Sequence, residues 1–452
     1  MEDFVDYGQQ LADFGSSLRW QHLPKDVQDR ARDRLLDALS TSAGSVTVGT
    51  GVWKAAFKAF VVPSPSSGPS STIGYAQGMA PEPAAFVNGV AIHSILFEDF
   101  TLHSSDHPGA TVCSAALAAA ESFGSSREAL LTAIIAGYEA QLLLGYLAPD
   151  MIRRGFRSMA VLGTIGSAAA VASLAGLDRD RFATALALAA NASAGLMQAW
   201  AHGTDEPFLH AGSAAAAGIV AVRLASAGAR GAPTTFNGKN GFFQAYAGLA
   251  DAKLPAPGAE WQIMSMIACK PYPTSGAKTT GIDTAIAAVK AGISANLIAR
   301  VQAYLPDVAV VPPGANRPGP FDNVTQAQDS AQFCIAAALL GRNMKDLTTY
   351  FMNFADPEVS DLTQRIELIA EADRKLGRLV IHLKDGAVCE FEVDHRSEQN
   401  PTVASMRAKL ELLAKGVWPA KVATGLADWV CGDSSSNITT FSEMLRKVEH
   451  SG

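Results

Sequence analysis

The chain has 452 residues, of which 48% are hydrophobic and only 17% charged, and its formal net charge is −7. This balance leaves room for a large buried core and for two domains, and it argues against nucleic acid or an anionic membrane as a partner. A small anionic substrate stays compatible if cations gather locally.

The acidic start, Met1 to Asp6, has no apolar h-region, so no secretory signal is expected. Apolar residues at helical spacing, Val27, Ala31, Leu35, Leu36 and Leu39, predict a helix over Lys25–Val46. The Pro-, Ser- and Gly-rich stretch Val61–Ala84 reads as a loop. Six helical segments follow: Ala84–Ile95, Pro108–Phe123, Arg127–Leu147, Ala160–Ala175, Arg179–Ala194 and His210–Ala227. Met159–Leu177 carries no charge over a length that could span a bilayer. Its Ala, Gly and Ser content instead suits a tightly packed internal helix. The five cysteines, Cys113, Cys269, Cys334, Cys389 and Cys431, show no metal-ligand or redox spacing, which points to a reduced, cytoplasmic setting.

The character changes near Met266. Lys270-Pro271-Tyr272-Pro273 cannot be a helix interior. A helix is expected over Gly281–Ala291, a strand over Val301–Val311 and a loop over Pro312–Pro320. Further helices are expected over Ala327–Leu340, Leu347–Phe354 and Val359–Ala370. Leu379, Ile381 and Leu383, then Cys389, Phe391 and Val393, alternate about Asp385-Gly386, which predicts a β-hairpin with a type I′ turn. From Pro401 to Val448 the chain reads as helical. The expected architecture is mainly α. A large all-helical domain uses both chain ends, residues 1–266 and 400–452, and a smaller α+β lid domain, residues 267–399, is inserted into it. A ligand cleft is expected between them.

The polar chemistry gathers between Ala85 and Glu121, where Phe97 to Gly109 places three acids, two histidines and three hydroxyls between apolar segments. His107 before Pro108 stands at a helix start, where the dipole favours a neutral imidazole able to act as a base; it can equally be a simple cap. Asp99, Glu98, Asp106 and Thr101 can orient His107 or a substrate hydroxyl, or merely make local turns. His103 and His107 are four apart, but Pro108 breaks the register and no metal site is predicted. Lys270 can hold a carboxylate or, desolvated, act as a base, with Tyr272 as a proton donor; otherwise it is a surface lysine beside a stiff linker. Arg153, Arg154 and Arg157 form a basic cluster, and His202 and His210 flank Gly203–Pro207. No Gly-x-Ser-x-Gly elbow is present.

An ordered set of segments then becomes recognisable. It comprises Ala85-Phe86-Val87-Asn88-Gly89, Asp99…Thr101…His107-Pro108-Gly109, Gly137-Tyr138-Glu139, Val161-Leu162-Gly163-Thr164, Gly203-Thr204…Leu209-His210-Ala211-Gly212, Gly241-Phe242-Phe243 and Lys270-Pro271-Tyr272-Pro273. Together they resemble the MmgE/PrpD family of dehydratases, decarboxylases and epimerases. The resemblance implies a helical domain with an α+β lid, a homodimer, and a site without metal or cofactor at their junction. It implies catalytic roles for His107, Lys270, Tyr272, Asp99 and Thr101, and substrate contacts from Arg157, Phe97, Phe100, His210 and Lys278. Departures stand out. Phe97–Thr101 occupies a loop that begins Asp-Phe-Asp-Asp-Thr in the family, Arg157 replaces a histidine, Pro207 a lysine and Thr279 a histidine. The implied function is a metal-independent lyase acting on an organic acid at a carbon next to a carboxylate or carbonyl. The alternatives are an isomerase, epimerase or cyclase on a larger, less charged substrate, and a non-catalytic binding protein.

Overall fold

The small side chains of the first half let its helices cross backbone against backbone. The computed structural model describes residues 6–61, 67–101, 103–249, 252–393, 401–432 and 436–448. The helical body contains α1 (Lys25–Val48), α2 (Pro81–His93), α3 (Ser114–Phe123), α4 (Arg127–Leu144), α5 (Ser158–Leu174), α6 (Arg179–Ala192) and α7 (Glu206–Ser226). The uncharged stretch is α5, buried along almost its whole length and packed against α4, α6 and α7. The crossings are close: a Cβ on Gly137 would lie 2.7 Å from the Gly166 carbonyl oxygen, and one on Gly218 would lie 2.7 Å from the Ala168 nitrogen. Local signals fix the ends. Gly49, at φ +62°, closes α1 in the left-handed region that favours glycine, and Asp178 caps α6 by accepting from the Arg181 N–H. Helix α7 begins at Glu206 rather than at His210, because Pro207 fits a first turn.

Two short strands, β1 (Asp99–Phe100) and β2 (Ala268–Cys269), pair antiparallel where the chain leaves the body. Beyond them lie α8 (Thr279–Lys290), β3 (Ile298–Pro306), α9 (Ala331–Leu339), β4 (Ile366–Glu371), β5 (Gly377–Leu383) and β6 (Val388–Val393). The sheet order is β4-β3-β5-β6, with only β3 and β4 parallel. Its inward residues, Val301, Ala303, Leu379 and Ile381, join Phe333, Ile335 and Tyr350 in a core separate from that of the body. Helix α10 (Val403–Leu413) returns to the body and packs on α1. A small cluster of Ile95, Phe97, Leu347 and Leu413 lies where the two parts meet. The mainly α fold with a small α+β unit is as expected.

Several local expectations change. The segment expected as one helix, Val359–Ala370, is a helix over Pro357–Thr363 followed by β4. Its Glu, Leu and Ala residues favour helix, but parallel pairing of Ile366 with Val301 and the burial of Ile366 override propensity. The hairpin turn is not type I′. Of its three loop residues, Lys384, Asp385 and Gly386, only Gly386 has a positive φ, +91°, which makes a turn closed by a bulge. The strand expected to Val311 ends at Pro306, and a short helix, Asp307–Val310, follows. The helix expected from Pro108 opens with a π-helical turn, Gly109–Cys113. Within the expected loop, Ser70–Ser71 pairs with Gly78–Met79, and residues 62–66 lie outside the described residues. The proposed lid boundary at 399/400 also lies outside them.

Replacing Gly218 by Ala is expected to destabilise the protein by about 1–3 kcal/mol, since backbone on α5 cannot move aside. Gly51→Ala, which meets nothing within 4 Å, should cost little by the same denaturant titration.

Candidate active site

The ladder between β1 and β2 pairs Asp99 with Cys269, so Glu98 and Lys270, 172 residues apart, emerge opposite each other. Lys270 Nζ donates to Glu98 Oε1 at 2.6 Å, with both side chains buried. His93, the last residue of α2, places Nδ1 3.0 Å from the same oxygen, and His107 places Nδ1 2.9 Å from it. Burial alone would raise the Glu98 carboxyl, but Lys270, His93 and His107 outweigh it and hold it well below the usual carboxylate range. Burial lowers the Lys270 ammonium against the opposing pull of Glu98.

The His107 Nδ1 also lies 3.0 Å from the Asp99 carbonyl oxygen. Both neighbours of Nδ1 are acceptors, so Nδ1 carries the proton and Nε2 holds the lone pair of a ring that borders the cavity between body and lid. Burial, then the Lys270 charge, push the imidazole down to about 3. The neutral ring expected from the sequence is present, with burial and Lys270 as its main causes rather than the helix end.

A second layer fixes this arrangement. The Asp99 carboxylate accepts from Tyr138 Oη at 2.6 Å and from the Gly109 N–H at 3.0 Å, with Arg34 at 3.9 Å. Asp106 Oδ1 accepts from the His107 N–H and from Gln141 Nε2, both at 2.8 Å, and burial pushes Asp106 up to about 7. The Thr101 N–H donates to the Asp106 carbonyl, and the Thr101 and Ser104 hydroxyls pair. Among the described residues, the non-glycine positions with positive φ are Leu96 (52°) and Ser105 (50°), two residues before Glu98 and two before His107 respectively. Such strain, about 1–3 kcal/mol per residue, persists only where surroundings enforce it, and it concentrates at functional sites.

These groups border a cavity of about 650 Å³ between body and lid. His107, Lys270, Thr101, Phe100, Arg157 and Lys278 all line it. Arg157 donates to the Ser105 carbonyl at 3.2 Å and lies over the Trp200 ring at 5.4 Å; its Nε is buried without a partner. Lys278 lies 3.7 Å from Asp329. A surface depression of similar size, about 680 Å³, beside Arg19 and Arg179 has no buried titratable group on its wall.

Four expected residues do not reach the cavity wall. Tyr272 turns into the lid core and donates to Asp283 at 2.6 Å, which corrects its role as proton donor. Asp99 is enclosed behind His107 and serves as a positioning residue. Phe97 packs with Ile95, Leu347 and Leu413 beneath the Lys409 ammonium, 4.0 Å from the ring centre, because the strained Leu96 turns the chain there. His210 lies a full turn inside α7, with Nδ1 buried and unpartnered. Sequence reasoning missed His93, whose signal was its position five residues before Glu98, and left Glu98 open between an orienting acid and a turn residue. Ligand atoms of His93, Glu98 and His107 lie within 4.8 Å of one another, but Lys270 already supplies the positive charge at that carboxylate.

The sequence is similar to known proteins over most of its length. Residues 9–255 match the MmgE/PrpD N-terminal domain. Human cis-aconitate decarboxylase is 32% identical over 394 residues, which cover 82% of this chain and 79% of the human protein. The mouse cis-aconitate decarboxylase is 30% identical over 392 residues, 82% and 78% of the two chains. A cis-aconitate decarboxylase-like protein of Aspergillus oryzae is 28% identical over 272 residues, 56% and 55% of the two chains.

Removing one partner of the buried pair strands the other. Glu98→Gln and Lys270→Met should each destabilise the protein by about 3–5 kcal/mol, and the double variant by less than their sum in a double-mutant cycle. The His107 imidazole titrates near 6.5 when unfolded and near 3 when folded, so the unfolded chain takes up the proton first as pH falls. Stability contributed by this residue is complete above pH 6.5 and is lost toward pH 3. The wild type should therefore lose up to about 1.4 kcal/mol more per pH unit than His107→Gln across that window, measured by denaturant unfolding.

Proposed function

This chain belongs to the MmgE/PrpD family, and we propose that it is an organic-acid lyase in which His107 moves the proton at a carbon next to a carboxylate. The observation that carries the reading is the pairing of the His107 lone pair on Nε2 with an unpaired guanidinium, Arg157, and the Lys270 ammonium around one cavity. Arg157 would hold the substrate carboxylate. His107 would take the proton from the adjacent carbon, and the electron pair would pass onto that carboxylate as an enolate. Arg157 and Lys270, both buried side chains, stabilise the developing charge. Departure of a hydroxide from the neighbouring carbon, protonated by the His107 imidazolium, gives dehydration and a C=C bond. Loss of CO₂ instead leaves the electron pair of the broken C–C bond as the same kind of carbanion, and a solvent proton relayed through His107 fills it. Both routes share the charged species the cations favour, and Lys270 with Arg157 fills the electrostatic role that a metal would otherwise take.

A positioned acid–base group contributes on the order of 10²–10⁴ in rate. Incubating the protein with a panel of hydroxy- and unsaturated di- and tricarboxylates in D₂O, followed by proton NMR, should reveal loss of water or CO₂ from one class. His107→Ala should lower that rate by about 10²–10⁴ with the thermal unfolding temperature retained. Turnover within tenfold of wild type in His107→Ala would reject the assignment. Deuterium incorporation without loss of water or CO₂ would replace the lyase by an isomerase.

A further inference from the structure

We propose that the natural substrate is an amphipathic acid, one or two carboxylates joined to an apolar chain of several carbons, with the chain lying in the outer half of the cavity. The inference rests on the cavity being the active site, as argued above, and extends that reading to substrate class.

Charge matching supplies the first argument. Four cations line the cavity, and three have a carboxylate of their own: Lys270 with Glu98, Lys278 with Asp329, and Arg153 with Asp150. Arg157 forms no ion pair among the described residues, and its Nε is a buried donor without an acceptor. The wall also carries the acids Asp307 and Asp329. One unmatched guanidinium suits one carboxylate, or two with help from Lys270; it does not balance a compact polyanion.

The walls supply the second. The inner end is buried and polar: Thr101, His107, Arg157 and Lys270. The less buried part of the lining is largely apolar, with Ile152, Met197, Trp200, Val308, Val311 and Pro313, and it also holds Arg153 and Asp307. Val308 and Val311 are 49% and 69% exposed, so apolar side chains stand open at the mouth of a polar-ended cavity. A volume of about 650 Å³ falls in the range, roughly 300–1,000 Å³, that encloses drug-sized ligands. An acid of four to six carbons held at Arg157 would leave the outer half wet against apolar walls. A chain on that acid would fill it and cover the exposed valines.

Isothermal titration of the purified full-length protein with succinate and with 2-butyl-, 2-hexyl- and 2-octylsuccinate tests this. The dissociation constant should fall about two- to fourfold for each methylene until the mouth is reached. Val311→Asp should flatten that dependence. Arg157→Gln should weaken every member alike. Equal affinity along the series in the wild type, or an unchanged dependence in Val311→Asp, overturns the amphipathic substrate and leaves the lyase reading standing. Failure of any of the acids to bind, or affinities unaffected by Arg157→Gln, overturns the reading of the cavity itself.

Discussion

One carboxylate oxygen, Glu98 Oε1, receives three nitrogen donors in a place that water does not reach, and the surrounding structure is organised to keep it so. An isolated carboxylate or ammonium there would lose several kcal/mol of hydration, and only a well-formed pair with added hydrogen bonds restores the balance. The pair exists because two residues of β1 and two of β2 lie in register. A slip of one residue would turn Glu98 and Lys270 to opposite faces of the ladder. The ion pair therefore depends on how the inserted unit docks on the body, since Glu98 comes from the body side of the ladder and Lys270 from the strand that leaves it.

Behind the ladder a layer of polar side chains holds its two strands together. Arg34 on α1 is wholly buried. It donates to Cys269 Sγ at 3.0 Å and faces Asp99, so a single side chain spans β1 and β2. Asp99 passes that constraint to His107 through its carbonyl oxygen and to α4 through Tyr138. Lys409 on α10 reaches Asp37 and the Phe97 carbonyl, which ties the returning chain end to the same turn. The positive φ angles of Leu96 and Ser105 are affordable because so many partners fix the loop on both sides.

Much of this was legible in the residues. The helical half followed from period and from small side chains, and the loop with Glu98, Asp99, Thr101 and His107 stood out because so many polar groups cannot sit in a core unpartnered. The hairpin followed from strict alternation about Asp385-Gly386. Strand β4 was not legible, because its propensity favours helix and only pairing with a strand 65 positions earlier decides otherwise. The turn type was not legible either, since Asp-Gly serves two loop lengths. In the site, residue type singled out His107 and Lys270 as candidates and the family resemblance added Arg157, but direction could not be read. Tyr272 and Phe97 have suitable chemistry and point into apolar cores, while His93 looked like any helix-end residue until Glu98 folded back on it.

The helix after Pro306, which carries Val308, lies far along the chain from the ladder that sets the ionic cluster, and Val311 follows it directly. On the proposed reading, breadth of ligand and proton chemistry occupy separate stretches of polypeptide. Drift or grafting in the 307–313 stretch can reshape what enters without disturbing the machinery beneath, so one scaffold can diversify into a series of catalysts that share a reaction and differ in appetite.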